Sequence, residues 1–349
     1  MTRIAAVHAA LPPYRYEQAE LTDAFAAICL PDGKGHALLR RLHENAGVSY
    51  RHLALPLERY GVLKDFGEAN DEWIATAVEL GAEAVGGALA AAGLGVEDVD
   101  LLMFTTVTGV AAPSIDARVA VRLGLREDVK RLPLFGLGCV GGAAGIARVH
   151  DYLTAWPGHV AVLLSVELCS LTLQRDDSSL PNLVGGALFG DGAAAVVMTG
   201  SEVSGSTEGP TVLATRSRLY PDSERVMGWD VGSGGFRIVL GADVPDVVRR
   251  YLGDDVTAFL AEYGLTVPEI GTWVSHPGGP KVLEAVSDTL RLRPGALDMT
   301  WKSLDAVGNL SSSSVLHVLG DTLRLDPSGT GLLLAMGPGF CSELVLLEW

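Results

Sequence analysis

Short apolar runs that alternate with alanine-rich segments constrain the fold of this chain more than any other feature of its sequence. The clearest strand candidates lie at residues 101–107, 134–137, 160–166, 193–198, 273–275, 332–336 and 344–347. Between them, the helical spacing of Ala and Leu marks residues 72–92, 143–155, 244–263 and 281–290. This alternation of strands with helices predicts an α/β fold around a sheet of mainly parallel strands.

The pattern occurs twice along the 349 residues, a length that exceeds one ordinary domain. A polar, turn-rich segment from Thr199 to Pro210 separates the two passes. We therefore predict an N-terminal half over residues 1–205 and a C-terminal half over residues 206–349. Because the separating segment is short, we expect the two halves to pack tightly against each other.

The charge balance and the cysteines exclude several classes of protein. The formal net charge is −16, and nucleic-acid binding relies on clustered Lys and Arg, so we expect no nucleic-acid partner. The 4 cysteines are scattered without a CxxC pair, so we expect neither a disulfide framework nor a metal site. Because no apolar segment resembles a signal peptide or a membrane span, we expect a cytoplasmic protein.

Cys139 is the first candidate for chemistry. It lies in the segment Leu137–Ala143, which follows a strand candidate and opens a helical segment rich in glycine. Backbone N–H groups and the dipole at a helix N-terminus stabilise a thiolate, so we expect the pKa of this thiol to be lowered from about 8.5. That is the environment of an activated nucleophile. The alternative is an inert cysteine buried among small residues.

His276 and Asn309 are the second and third candidates. His276 ends an apolar strand candidate before a Pro/Gly turn, and open α/β sheets place their sites at such strand ends. Asn309 precedes an apolar helical segment, where it is either a helix cap or a hydrogen-bond donor beside His276. The order Cys, His, Asn also occurs in papain-like proteases, but their cysteine lies near the mature N-terminus. We therefore disfavour a protease.

Five motifs occur together in one order along the chain. They are GCVGG at 138–142, ALFGDGAAA at 187–195, HPGGP at 276–280, GN at 308–309 and GPG at 337–339. With these motifs the chain resembles the type III polyketide synthases, the chalcone-synthase-like branch of the thiolase superfamily. The resemblance covers essentially the whole chain. It implies an α/β thiolase fold with duplicated αβαβα layers, and a homodimer.

The resemblance also implies a mechanism. Cys139 would take an acyl group from coenzyme A, while His276 keeps the thiol ionised. His276 and Asn309 would donate hydrogen bonds to the enolate oxygen formed when malonyl-CoA or methylmalonyl-CoA loses CO₂. The enolate would attack the Cys139 thioester, and the acyl oxyanion would be held by backbone N–H groups at Cys139 and in the loop Gly337, Pro338 and Gly339. Acyl-CoA thioesters are the substrates, and no metal or organic cofactor is expected.

Further site residues follow from the resemblance alone. Two phenylalanines match its gatekeepers between the CoA tunnel and the cavity, Phe189 and Phe236, whose bulk would exclude water from the carbanion. Six positions match its cavity lining: Thr108, Cys169, Thr172, Met227, Gly228 and Ser311. Five positions match its CoA-binding region: Arg40, Arg41, Gly278, Gly279 and Lys281. An acidic enzyme needs such a local basic entrance for the CoA phosphates.

The segment Arg225–Val231 resembles bacterial alkylresorcinol and alkylpyrone synthases. This likeness implies a fatty acyl-CoA starter and an alkylresorcinol, alkylpyrone or related aromatic product. The nearest alternative is a condensing enzyme like ketoacyl-carrier-protein synthase III, although such enzymes typically carry HQAN at the histidine. A catalytically silent assembly-line partner is the other alternative, and the intact Cys139, His276 and Asn309 argue against it.

Overall fold

The computed structural model describes residues 1–204 and 209–349, so the half-boundary predicted after residue 205 lies outside the described residues. The strands are β1 (Arg3–Ala10), β2 (Tyr14–Glu17), β3 (Tyr50–Leu53), β4 (Val99–Thr106), β5 (Lys130–Phe135), β6 (Val160–Leu168), β7 (Asp191–Thr199), β8 (Thr211–Leu219), β9 (Met227–Gly232), β10 (Gly235–Leu240), β11 (Thr272–Ser275), β12 (Thr330–Gly337) and β13 (Cys341–Glu348).

The helices alternate with these strands along the chain. They are α1 (Gln18–Cys29), α2 (His36–Glu44), α3 (Leu57–Tyr60), α4 (Phe66–Ala92), α5 (Ile115–Leu123), α6 (Gly141–Ala155), α7 (Leu180–Leu188), α8 (Val244–Ala261), α9 (Pro280–Leu290), α10 (Asp298–Val307) and α11 (Ser314–Leu323). Short 3₁₀ turns precede two of them, Gly138–Val140 before α6 and Ser311–Ser313 before α11. All the helical segments expected from the sequence are present, within a few residues of their expected bounds.

One nine-stranded sheet runs through both halves in the order β11-β12-β13-β8-β1-β7-β6-β4-β5. The halves join where β1 meets β8, through the single pair Arg3 and Thr211. The expectation of a mainly parallel sheet is wrong. Only β4–β5, β4–β6 and β11–β12 are parallel, whereas β1–β7, β6–β7, β12–β13 and β8–β13 are antiparallel. The turn between β12 and β13 is too short for the crossover that a parallel pair requires.

Helices cover both faces of the sheet and also fill the space between its halves. Helices α4 and α5 pack on the outer face of the first half, and α8 and α9 pack on that of the second half. Helices α6 and α11 form the middle layer, where their buried side chains contact strands of both halves. This arrangement is the duplicated αβαβα fold expected from the resemblance. Because both middle helices begin at the same end, their N-termini can converge on one site.

Helix α4 is the longest helix of the described chain. It begins after Asp65, whose side chain accepts a hydrogen bond from the Glu68 N–H at 3.0 Å, and it ends at Gly93 in the left-handed conformation. By length and composition alone this helix could cross a membrane. Its apolar face, however, packs against β1, β6 and β7 in the core of the first half.

Candidate active site

Cys139 lies in the 3₁₀ turn between β5 and α6 and is buried. Gly138 adopts φ +53°, and a Cβ atom there would lie 2.7 Å from the Pro338 ring. Glycine is therefore needed at this position, because any side chain would clash with the GPG loop. The close packing of this loop on the turn fixes the position of the thiol.

The electrostatic environment of Cys139 differs from the expectation. The pKa of its thiol is raised to about 12, chiefly by burial and then by the nearby charge of Glu167, and hydrogen bonds from Ser311 and Asn309 offset part of this rise. The expected lowering of the thiol pKa at a helix N-terminus is thus wrong for the resting site. The reason is that the loss of hydration on burial outweighs the helix dipole.

His276 follows β11, and its backbone N–H donates to the Leu334 carbonyl at 3.0 Å. Within the described parts of the chain, neither of its buried ring nitrogens has a hydrogen-bond partner. Burial lowers the pKa of His276 to about 3, so the ring is neutral. Transfer of a thiol proton to such a ring would create two opposite charges, whose attraction offsets part of the cost of burying each one.

Asn309 follows Gly308, which has φ +75°, and forms a parallel bridge with Phe189. Its backbone N–H donates to the Leu188 carbonyl at 2.8 Å, and its Oδ1 accepts from the Ser311 N–H at 2.8 Å. Since Oδ1 is engaged, the orientation of the amide is fixed and its NH₂ group remains to donate elsewhere.

The structure brings Cys139, His276 and Asn309 to one cavity. Gly278, two residues after the histidine, also lines this cavity. A thiol, a neutral imidazole and a fixed amide donor around one enclosed space can bind a thioester and stabilise a negative oxygen beside it. Asn309 stands just before Leu310, the cap position of the turn that precedes α11, and the hydrogen bond from Ser311 N–H to its Oδ1 is a capping contact, so Asn309 both caps this turn and lines the cavity.

A second cavity also contains Cys139. Most of the gatekeeper and cavity residues expected from the resemblance line it, namely Cys169, Phe189, Met227, Gly228 and Ser311, together with Pro338 of the GPG loop. Trp229 and Ile238 also line it, and the sequence analysis had not singled out either of them. Ser311 adopts φ +49°, a conformation that is rare outside glycine, and this bend turns the chain around the thiol.

Phe236 does not line either cavity that contains Cys139. It is buried against Phe66 and Phe135, with ring centroids 5.5 and 6.2 Å away. Its expected position at the cavity is occupied instead by Ile238, two residues further along β10. Residues two apart on a strand share a face, so the strand has the expected orientation but a different residue reaches the site.

Two expected cavity threonines also lie elsewhere. The Thr108 hydroxyl donates to Glu167 at 2.8 Å and accepts from the Trp73 indole N–H at 3.2 Å, so it is engaged in the core. Thr172 donates to the Cys169 carbonyl at 2.7 Å and lines a separate cavity. Neither hydroxyl faces the space around Cys139.

The GPG loop lies directly against the nucleophile turn. A Cβ atom at Gly337 would lie 2.9 Å from the Val140 nitrogen and 3.3 Å from the Cys139 nitrogen. Pro338 lines the second cavity, and Gly339 adopts φ +129°. The loop and the backbone N–H groups of the turn are therefore adjacent, as the expected oxyanion site requires.

The expected CoA-binding residues are less closely grouped. Arg40, Arg41 and Lys281 are exposed, and within the described residues none of them forms an ion pair. The ends of α2 and α9 are close, because a Cβ atom at Gly47 would lie 3.2 Å from the Pro280 ring. The helix that carries the arginines thus borders the turn that contains Gly279.

Glu167 is a site residue that the sequence analysis missed. It is fully buried beside Cys139, and its carboxylate accepts hydrogen bonds from Val107 N–H at 3.1 Å, from the Thr108 hydroxyl and from the Ser312 hydroxyl. Burial raises its pKa. The signal in the sequence was a single acidic residue inside the apolar run of β6. The carboxylate links β4, β6 and the turn before α11.

Family models match both halves of the chain. The model for the N-terminal domain of chalcone and stilbene synthases matches residues 1–202, and the model for their C-terminal domain matches residues 211–348. A 1,3,6,8-tetrahydroxynaphthalene synthase from Streptomyces peucetius subsp. caesius is 61% identical, over 100% of this chain and 93% of its own length. A putative chalcone synthase from Bacillus subtilis (strain 168) is 34% identical, over 100% of this chain and 99% of its own.

Solved structures agree with these matches. The crystal structure of 1,3,6,8-tetrahydroxynaphthalene synthase from Streptomyces coelicolor A3(2), a bacterial type III polyketide synthase, aligns with a TM-score of 0.93. The alignment covers 99% of both chains at 28% identity. With the duplicated fold and matches along both halves, the chain belongs to the chalcone and stilbene synthase family and is a type III polyketide synthase, an acyltransferase.

Proposed function

We propose that Cys139 carries the growing acyl chain and that His276 and Asn309 promote the loss of CO₂ from malonyl-CoA. The observation that supports this assignment is the single cavity lined by all three residues. His276 accepts the thiol proton as Cys139 attacks the starter thioester, and coenzyme A leaves. When the malonyl carboxylate leaves as CO₂, its bonding electrons form an enolate, whose oxygen accepts hydrogen bonds from Asn309 and His276.

The enolate carbon then attacks the Cys139 thioester. The new carbon–carbon bond replaces the carbon–sulfur bond, and the thiolate is regenerated. Backbone N–H groups at Cys139 and Val140, whose nitrogens lie beside Gly337, then hold the oxyanion of the acyl group. Before each further condensation the lengthened chain is transferred from coenzyme A back to the Cys139 thiolate, releasing free coenzyme A. Intramolecular closure then releases an aromatic product.

The product we propose is a polyhydroxylated naphthalene built from malonyl-CoA alone. Its support is the relative that is 61% identical along the whole of this chain and is a 1,3,6,8-tetrahydroxynaphthalene synthase. A naphthalene with oxygens at alternating positions can be assembled entirely from two-carbon units.

A fatty acyl-CoA starter is the second candidate, and one observation favours it. A largely apolar cavity lies next to the site, between α1, α3 and α7. Four residues line both this space and the second cavity, Cys169, Phe189, Trp229 and Ile238. Movement of these four side chains would join the two cavities and leave room for an alkyl chain. The product would then be an alkylresorcinol or alkylpyrone.

We also propose that the chain acts as a homodimer in the cytoplasm. Strand β5 ends the sheet, and Leu132 and Phe135 on it are 42% and 54% exposed. Because β5 also carries Lys130, Arg131 and Pro133, which disfavour strand pairing, the contact that we propose is packing of the exposed apolar side chains against a second copy of the chain. Sedimentation should give a dimer for the unchanged protein, and Leu132→Glu should shift the population toward monomer. A monomer at all concentrations would contradict this proposal.

Mass spectrometry of products from purified protein tests the function. The protein is incubated with malonyl-CoA alone, with a panel of fatty acyl-CoA starters, with methylmalonyl-CoA, or with malonyl-carrier-protein, and Cys139→Ala serves as the blank. A naphthalene product from malonyl-CoA alone supports the first candidate, and alkyl products support the second. Activity only with malonyl-carrier-protein would overturn both in favour of a ketoacyl-carrier-protein synthase. The absence of any product would favour a silent partner.

A further inference from the structure

Arg51 lies on β3 and is 5% exposed, in contrast to Arg40 and Arg41 nearby in the sequence. Burial of a guanidinium is costly unless its N–H groups find acceptors. Its Nε donates to Oε1 of Gln18 at 3.1 Å, and its Nη1 donates to the carbonyl of Phe189 at 2.9 Å. Arg51 is therefore not part of the basic surface that would meet coenzyme A phosphates.

The Phe189 carbonyl belongs to the segment that holds Asn309. Residues on either side of Phe189 bind both backbone groups of the asparagine: the Leu188 carbonyl accepts from Asn309 N–H at 2.8 Å, and Gly190 N–H donates to the Asn309 carbonyl at 3.0 Å. The hydrogen bond from Arg51 thus anchors the middle of the strand segment against which the Asn309 backbone is aligned.

The aliphatic part of Arg51 packs against the same two segments. A Cβ atom at Gly308 would lie 3.1 Å from Arg51 Cγ and 3.3 Å from its Cδ, and one at Gly190 would lie 3.6 Å from its Cβ. Gly308 has φ +75°, which favours glycine, so no side chain separates the arginine from the backbone before Asn309. Gly190 and Gly308, one on each side of the Phe189–Asn309 bridge, therefore both lie against the buried side chain of Arg51.

We propose that Arg51 is a positioning residue for Asn309: by clamping the Phe189–Gly190 segment against Gly308, it fixes the position of the Asn309 backbone and with it the side-chain amide that Ser311 orients. The inference rests on the proposed function, since it assumes that Asn309 stabilises the enolate. Arg51 does not touch the reacting atoms. A shift of about 1 Å in a catalytic donor can reduce a rate about 100-fold. A small displacement of Asn309 on loss of the Arg51 contacts is therefore sufficient to slow decarboxylation.

The test measures CO₂ release from malonyl-CoA by Arg51→Met, which keeps much of the side-chain volume without the donors. In the uncoupled reaction CO₂ leaves and the enolate is protonated by water to acetyl-CoA. We expect kcat to fall about tenfold to 100-fold with KM nearly unchanged, and Arg51→Lys to restore part of the loss. Acyl transfer to Cys139, followed by protein mass, should change little.

A double-mutant cycle separates positioning from a merely structural role. If Arg51 acts through Asn309, then Arg51→Met in an Asn309→Ala background should cause almost no further loss of kcat. Arg126→Met is the matched control, because Arg126 also donates to a backbone carbonyl, that of Glu97 at 3.1 Å, at the start of β4. We expect this control to decarboxylate at the rate of the unchanged protein.

If Arg51→Met has the kcat of the unchanged protein, the role of Arg51 is overturned. The same follows if the losses of kcat in Arg51→Met and Asn309→Ala multiply in the double variant. Both outcomes leave the proposed function intact. Full decarboxylation by Asn309→Ala would instead overturn the role of Asn309, and with it the basis of the inference. If Arg51→Met does not fold, the same cycle is run with Arg51→Lys, which keeps the buried charge. A smaller loss in Gln18→Ala, which retains the Phe189 contact, would further support the clamp.

Discussion

Gly142 offers a sharp test of how closely the two middle helices must approach. It lies in the first turn of α6, just after Cys139, and is buried against the turn before α11. A Cβ atom there would lie under 3.0 Å from the Ser312 carbonyl oxygen and 2.8 Å from Val315 Cγ1. Ordinary contacts begin near 3.4 Å, so Gly142→Ala must separate α6 from this turn by at least about 0.6 Å.

The separation affects both stability and catalysis. Overpacking of this kind costs about 1–3 kcal/mol in the free energy of unfolding. Because Cys139 precedes α6 and Asn309 precedes the 311–313 turn, the same movement pulls the nucleophile away from the amide donor. We expect kcat for product formation to fall about tenfold to 100-fold.

Gly86→Ala in α4 is the matched control. No atom lies within 4 Å of the position that its Cβ atom would take, so the substitution should stabilise the helix by about 0.5–1 kcal/mol and leave kcat unchanged. Urea unfolding and product formation are measured on both variants. Gly142→Ala with wild-type stability and wild-type kcat would refute the argument from close approach.

The remaining predictions concern the site itself. Asn309→Ala should reduce CO₂ release from malonyl-CoA about 100-fold to 1,000-fold, as loss of an oxyanion donor does, and an undiminished rate would exclude that role. Burial lowers the pKa of His276 to about 3, so its ring is a neutral proton acceptor at every pH above that value, whereas burial raises the pKa of Cys139 to about 12. Iodoacetamide labelling of Cys139 should therefore slow in His276→Ala at neutral pH and recover as the pH rises, and an unchanged pH profile would contradict this pairing. Glu167→Gln would place an amide NH₂ against buried donors, and urea unfolding should show a loss of about 1–3 kcal/mol.

The positions of Cys139 and His276 could be predicted from the sequence because each follows a strand and lies near glycines that the geometry requires, whereas Asn309 follows α10 through Gly308 and was predicted from the GN motif. The pKa of the Cys139 thiol could not be predicted, since the burial that raises it comes from residues distant along the chain. Similarly, the partner that engages the Thr108 hydroxyl lies 59 residues away on β6. Local sequence carries no information about such a contact.

Which of Phe236 and Ile238 lines the cavity could not be predicted from the sequence, for a different reason. Both lie on the same face of β10, and only the position of the β9–β10 pair relative to Cys139 decides which one meets the cavity. Strands β1 and β8 were missed for a simpler reason. They contain alanines or charged residues, RIAAVHAA and TVLATRSRL, and lack the continuous apolar run of β6.

The position of β1 in the sheet has a consequence for synthesis of the chain. Residues Arg3 to Ala10 find their hydrogen-bonding partners on β7 only when translation has reached Thr199, and Arg3 also waits for Thr211. At the usual 5–20 residues per second, the first strand leaves the ribosome roughly 10–40 s before it can pair. Throughout that interval an apolar edge is open to other chains. Yield in the cell therefore depends on how fast the first half is completed and on chaperones that cover this strand meanwhile.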